Sequence, residues 1–291
     1  MSTLTTFGHE IDTSPDKFGE LRDSNDILDN PEALQARMRA EGYLLLRGIL
    51  NKDVVTAARR EIFEKLASVA EIDDRYSVIE GISSGRSERE RVDVRQFNRD
   101  IRSGEALRNL VHRGDVIHFY ERFFGGEVRS FDYIWLRTVQ PGGATGCHYD
   151  WVYMGRGTRN LYTTWIPIGD VPRIEGSLMV LENSHKLEDL INTYGAMDVD
   201  KDVDGPYAGG WFGRDPVVVQ QQLGGRWLTT DFELGDMLVF TMHTMHCSLD
   251  NCSPENRIRL TSDTRYQLAS EPVDERWVGE EPIAHGGRRT K

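Results

Sequence analysis

The chain has 291 residues, a formal net charge of -12 and 38% hydrophobic residues. An acidic chain repels phosphate, which argues against nucleic acid or an anionic membrane as partner, and no stretch approaches the roughly 20 apolar residues of a membrane span. The length fits two average domains or one large β domain with additions. The N-terminus is polar with no apolar signal core. The cysteines, Cys147, Cys247 and Cys252, cannot all pair and lack zinc-ribbon spacing, which points to a reducing, cytoplasmic setting.

Residues 1–30 are polar and predict a loose leader. Asn30-Pro31-Glu32 predicts a helix start, with Asn30 as cap and Pro31 in the first turn; the helix should end near Gly42. Tyr43-Leu44-Leu45-Leu46-Arg47 reads as a strand. Val54, Val55, Ala58, Ile62, Leu66 and Val69 recur at helical spacing and predict a helix over 52–70. Residues 71–103 are charged, with Gly and Ser, and predict a long loop, either solvated or acting as a lid. Residues 105–124 predict a second helical stretch, closed by Gly125-Gly126.

The pattern then changes. Short β-rich runs at 131–137, 161–168, 177–181, 237–240 and 258–266 alternate with turn residues, predicting a β-sandwich or barrel. Residues 186–230 form a long insertion whose aromatics make it more than a linker. The expected organisation is a leader over 1–30 and a single domain over 31–291. That domain has a helical layer at about 31–125 and a barrel at about 126–270.

The chemistry-bearing stretch is Gly146-Cys147-His148-Tyr149-Asp150-Trp151. On a strand, residues i and i+2 face the same side, so His148 and Asp150 would present an imidazole and a carboxylate together. Downstream, a Gly235-Asp236 turn leads into an apolar strand and then to His243 and His246. Two histidines and a carboxylate form the facial triad for non-haem Fe(II), which leaves three metal positions open. Arg257 and Arg259 are both placed to take a carboxylate bidentately.

These residues, with Thr163-Thr164-Trp165, Gly176-Ser177-Leu178, Ser184-His185, Ser248 two after His246 and Arg257 eleven after it, make the chain resemble the phytanoyl-CoA dioxygenase family of Fe(II)/2-oxoglutarate oxygenases. The main departure is Asn183, where the family has Gly. The resemblance implies a mainly β fold, a double-stranded β-helix or jelly-roll barrel with packed helices. It implies His148, Asp150 and His246 as metal ligands and leaves His243 a packing role. It places Arg257, Ser248 and Trp165 around the co-substrate, and gives His185 a structural role; Arg137, on the strand before His148-x-Asp150, is a further candidate for the same pocket.

The implied cofactors are Fe(II), 2-oxoglutarate and O2, with ascorbate as reductant. The implied reaction oxidises, most simply hydroxylates, a C–H bond of a small molecule and releases succinate and carbon dioxide. Asp150 favours this over halogenation, where the carboxylate ligand is missing. The competing readings are another metal-dependent cupin enzyme and a non-catalytic binding barrel. Residues 71–103 and 186–230 are the expected substrate-reading segments. Trp151, Tyr153, Tyr207, Trp211 and Phe212 are available as apolar surface, and Arg86, Arg89, Arg91 and Arg95 as a basic cluster.

Overall fold

The computed structural model describes residues 3–285. Its strands are β1 Thr5–Thr6, β2 His9–Glu10, β3 Phe18–Glu20, β4 Tyr43–Leu46, β5 Val128–Ser130, β6 Trp135–Val139, β7 Tyr162–Pro167, β8 Leu178–Leu181, β9 Trp227–Thr229, β10 Met237–Thr241, β11 His246–Ser248 and β12 Arg259–Leu268. Its helices are α1 Pro31–Glu41, α2 Lys52–Ala67, α3 Val94–Arg102, α4 Glu105–His112, α5 Gly114–Phe124, α6 Trp151–Met154, α7 Glu188–Asn192 and α8 Pro216–Leu223. None is long and apolar enough to cross a membrane.

Two sheets form a jelly roll. The larger runs β4-β10-β7-β12-β5, with β6 also on β12; the smaller runs β11-β8-β9-β3. Both sheets are buried on both faces, which is why Tyr43-Leu44-Leu45-Leu46 and Leu178-Met179-Val180-Leu181 are continuous apolar runs and do not alternate. Tyr43, Leu45, Trp165, Leu178, Val180, Leu238 and Phe240 fill the barrel interior. Leu44, Leu46, Ile166, Val239, Leu260 and Tyr266 face the other way, onto Leu34, Val55, Ile62, Leu107 and Phe119 of the helical layer. The outer face of the smaller sheet, with Met179, Trp227 and Cys247, is covered by Tyr194 and Val219 of the insertion.

The helix boundaries follow from capping. The Asn30 side chain accepts from Ala33 N at 3.0 Å, and Gly42 closes α1 at φ +80°. The ring of His185 lies where a Gly42 Cβ would go, 2.3 Å from its Nδ1. His185 Nε2 meets Arg39 O at 3.1 Å, so this histidine ties the helix end to the barrel. Asn183 adopts φ +59°, a left-handed conformation that Asn tolerates where the family has Gly.

Several expectations need correction. The 1–30 segment is not loose: β3 adds to β9 as a parallel edge strand, and Asp250 takes Thr5 Oγ1, Phe7 N and Gly8 N at 2.7–2.9 Å. The 71–103 loop contains α3, capped by Asp93; its apolar stripe, Val94, Phe97 and Ile101, is one residue wide amid charges, with Ile101 buried and Phe97 packed on the core, and the charged run hid it. The 105–124 stretch is two helices, broken where Arg113 is extended. The 186–230 insertion includes β9, a barrel strand.

Candidate active site

His148 and His246 face each other across an antiparallel bridge closed by two backbone hydrogen bonds of 3.0 and 3.1 Å. Asp150 does not share that extended backbone. Its φ of -66° and ψ of -28° are helical, and it stands at the start of α6. The chain turn brings the carboxylate round to the histidines, which corrects the expectation of a common strand face. Asp150 Oδ1 lies 3.5 Å from His148 Nε2 and 3.8 Å from His246 Nε2. One donor atom from each of the three residues falls within 4.8 Å of the others.

The donors are oriented by their neighbours. His148 Nδ1 lies 2.8 Å from Gly146 O, and His246 Nδ1 lies 3.0 Å from Thr244 O. A carbonyl only accepts, so each Nδ1 carries the proton and each Nε2 offers its lone pair inward. Burial and the adjacent His148 push His246 down to about 3, so its imidazole is neutral. Burial opposes ionisation of Asp150, yet Arg265 and the two histidines outweigh it and hold the carboxyl well below its usual range. Asp150 Oδ2 accepts from Thr163 Oγ1 at 2.5 Å and is ion-paired with Arg265 Nη2 at 2.7 Å, leaving Oδ1 toward the histidines.

A narrow cavity opens from this trio. Both histidines line it, with Trp165, Leu178 and Phe240 as an apolar wall and Thr145, Arg137, Arg259 and Asp263 as its polar groups. Arg259 is buried and donates to Gly176 O; its Nε has no partner. Burial, with Arg137 nearby, pushes the Arg259 guanidinium down to about 9, as expected of a buried cation short of an anion. Trp165 Nε1 is likewise buried without a partner. Two orphaned donors, on residues that line the cavity together with both histidines of the trio, are the donor chemistry that a keto acid's carboxylate takes.

The structure differs from the sequence expectation at the co-substrate residues. Arg257 does not line this cavity. It precedes the paired run of β12, is bridged to Ile82, and lies in the fields of Glu175 and Arg59. Ser248 is buried but does not line the cavity either; its Oγ accepts from Thr145 N at 2.9 Å and so places Thr145 there. Arg137 does line it, held through Nε to Asp263 Oδ1 at 2.9 Å. His243 stands apart from the trio, its ring 5.2 Å from Trp151, and burial pushes it down to about 4.

The sequence reading missed Arg265 and Asp263. Their signal was present as charges alternating through a strand whose other face, at Leu260 and Tyr266, is core. The Arg-rich cluster is partly self-neutralised, with Arg89 on Glu71 and Arg91 on Glu88. Of the expected aromatics, Tyr207 stacks on Phe212 in the core outside the smaller sheet. Tyr153 sets its ring edge-on to His148 at 5.6 Å and donates to Gly209 O, linking the insertion to the site.

A family model described as phytanoyl-CoA dioxygenase (PhyH) matches residues 38–259. A curated relative, 1-deoxypentalenic acid 11-beta-hydroxylase of Streptomyces arenae, is 26% identical over 270 residues, covering 88% of this chain and 87% of the relative. The non-heme alpha-ketoglutarate-dependent carbocyclase SnoK from nogalamycin biosynthesis superposes with a TM-score of 0.57 at 17% identity, over 92% of this chain and 91% of that one. EctD from S. alaskensis, solved with 2-oxoglutarate and 5-hydroxyectoine, gives 0.56 at 18% identity, over 95% and 89%. At these identities the two structures speak to the fold.

Proposed function

The chain belongs to the phytanoyl-CoA dioxygenase family, and from that premise we propose the roles of its residues in oxidising a small molecule. It is an Fe(II)- and 2-oxoglutarate-dependent dioxygenase. Bound together, iron and keto acid supply the oxidising power: one oxygen atom of O2 goes to succinate, formed with carbon dioxide, and the other to the substrate. The observation that carries the residue roles is one cavity lined by both histidines of the His/Asp/His trio and by a buried arginine that has no salt bridge.

His148 and His246 hold the metal through Nε2, and Asp150 through Oδ1. Arg259 pairs with the far carboxylate of 2-oxoglutarate, a charge-assisted contact that fixes the keto acid end at the metal. Trp165 adds its indole N–H, while Leu178 and Phe240 exclude water beside it. Thr145 is held at the cavity wall by Ser248. Residues 186–230 read the substrate, since Tyr153 links them to His148. The relative's name describes hydroxylation of a small carboxylic acid, which supports hydroxylation of an unactivated C–H bond of a small molecule here. The free thiols, two of them buried, support a reducing cytoplasmic setting.

The test is succinate formation from 2-oxoglutarate with Fe(II), O2 and ascorbate across a panel of small acids and terpenoids. Succinate release dependent on a panel member, lost in Arg259→Met, is expected. A protein that neither binds 2-oxoglutarate with Fe(II) nor forms succinate sinks the reading.

A further inference from the structure

We propose that Arg265 is the positioning residue that keeps Asp150 a one-oxygen ligand. It does so as the second member of a charge ladder, Asp150–Arg265–Asp263–Arg137, whose first three members are buried. The proposal rests on the reading of Asp150 as a metal ligand and says how that ligand is constrained.

A carboxylate can give a metal one oxygen or two. The facial triad needs one, because the three remaining positions must take a chelating keto acid and O2. A chelating Asp150 would fill one of them. What opposes this is the state of Oδ2. It already accepts from Thr163 Oγ1 at 2.5 Å and is ion-paired with Arg265 Nη2 at 2.7 Å. Turning Oδ2 toward the metal would break the Thr163 hydrogen bond and pull the carboxylate out of its ion pair with Arg265, in a site where Arg265 is 1% exposed and no water could replace them.

Arg265 cannot follow such a turn. Its Nη1 donates to Asp263 Oδ2 at 2.9 Å, and its guanidinium carbon sits 4.1 Å from the Trp135 ring centre. Asp263 is held in turn by Arg137 Nε at 2.9 Å. The signs alternate along the ladder, two carboxylates with two guanidiniums, so Arg265 is neither a surplus charge nor a free one. A guanidinium needed only to balance Asp263 would not have to spend its other terminal nitrogen on Asp150. Here that nitrogen is spent, while Nε is left without a partner.

The experiment uses the full chain without oxygen, titrated first with Co(II) alone and then, separately, with Fe(II) followed by 2-oxoglutarate. The readouts are metal affinity, the Co(II) visible spectrum and the visible absorption of the Fe(II)–keto acid chelate. Circular dichroism checks folding. Arg265→Met is expected to fold, to bind Co(II) about 10- to 100-fold more weakly, to change the Co(II) spectrum and to lose the chelate band. Arg265→Lys should recover part of the affinity and the band, since one ammonium can still cap Oδ2.

If Arg265→Met does not fold, Thr163→Val removes the other cap, and an altered Co(II) spectrum is the supporting result. Wild-type affinity, Co(II) spectrum and chelate band in folded Arg265→Met, or an unchanged Co(II) spectrum in Thr163→Val where that variant is used, would overturn the proposal. A wild-type chain that binds neither metal overturns the ligand reading and the proposal together.

Discussion

Replacing Arg259 by Met, beside the same change at Arg257, separates two arginines that lie two residues apart. Arg259 is 2% exposed, donates to Gly176 O and has an unpartnered Nε. A carboxylate arriving there would gain two charge-assisted hydrogen bonds, each worth about 1.5–3 kcal/mol. Losing them should cost about 3–6 kcal/mol, or roughly a 10²- to 10⁴-fold weaker affinity for 2-oxoglutarate. Arg257 does not line the cavity, so Arg257→Met should stay within about threefold of wild type.

Stability supplies a second, opposite sign. A buried cation with no salt bridge, beside Arg137 and with Asp263 already paired to other arginines, costs free energy, so Arg259→Met should leave the ligand-free protein as stable as before or more so. Anaerobic 2-oxoglutarate titration with Fe(II) and urea unfolding measure the two effects. Normal affinity in Arg259→Met, or collapse of affinity in Arg257→Met, would refute the reasoning.

Three further expectations follow from the same geometry. His246→Ala should abolish tight Co(II) binding, while His243→Ala, which removes a ring packed at a tilt against Trp151, should keep it within about threefold; the opposite pattern would move the ligand to His243. His112 and His243 are pushed down to about 4, mainly by burial, so between pH 7 and 5 the unfolded chain binds protons there that the folded chain does not. Stability should therefore fall as pH drops through 6.5, by up to about 2 kcal/mol per histidine at pH 5. Flat urea midpoints from pH 7 to 5, or no flattening in His243→Gln, would count against this. Gly42→Ala combines a φ of +80° with a Cβ driven into the His185 ring, and should cost about 1–3 kcal/mol in urea unfolding; a change within 0.5 kcal/mol would mean the ring moves freely.

The sequence by itself determined the residue types and their local order. His148-x-Asp150, the distal His246 and the arginine pair are chemistry written in spacing, and Asn30, Pro31 and Gly42 bound a helix by rules that act within a few residues. Short strands such as β3 and β9, three residues each, carry too little pattern to stand out, and in α3 the stripe of Val94, Phe97 and Ile101 is one residue wide within a charged run. Which arginine enters the cavity was decided only by where the paired run of β12 begins, and that depends on contacts with β6 and β7, far off in sequence. The role of Arg265 depends on the same registry, which turns Arg259, Asp263 and Arg265 inward and Leu260 and Tyr266 onto the helices. Local spacing sets which groups a chain owns, whereas long-range strand pairing sets which of them meet in the dark of the barrel, because a side chain's face alternates with every residue and one shift of register reverses it.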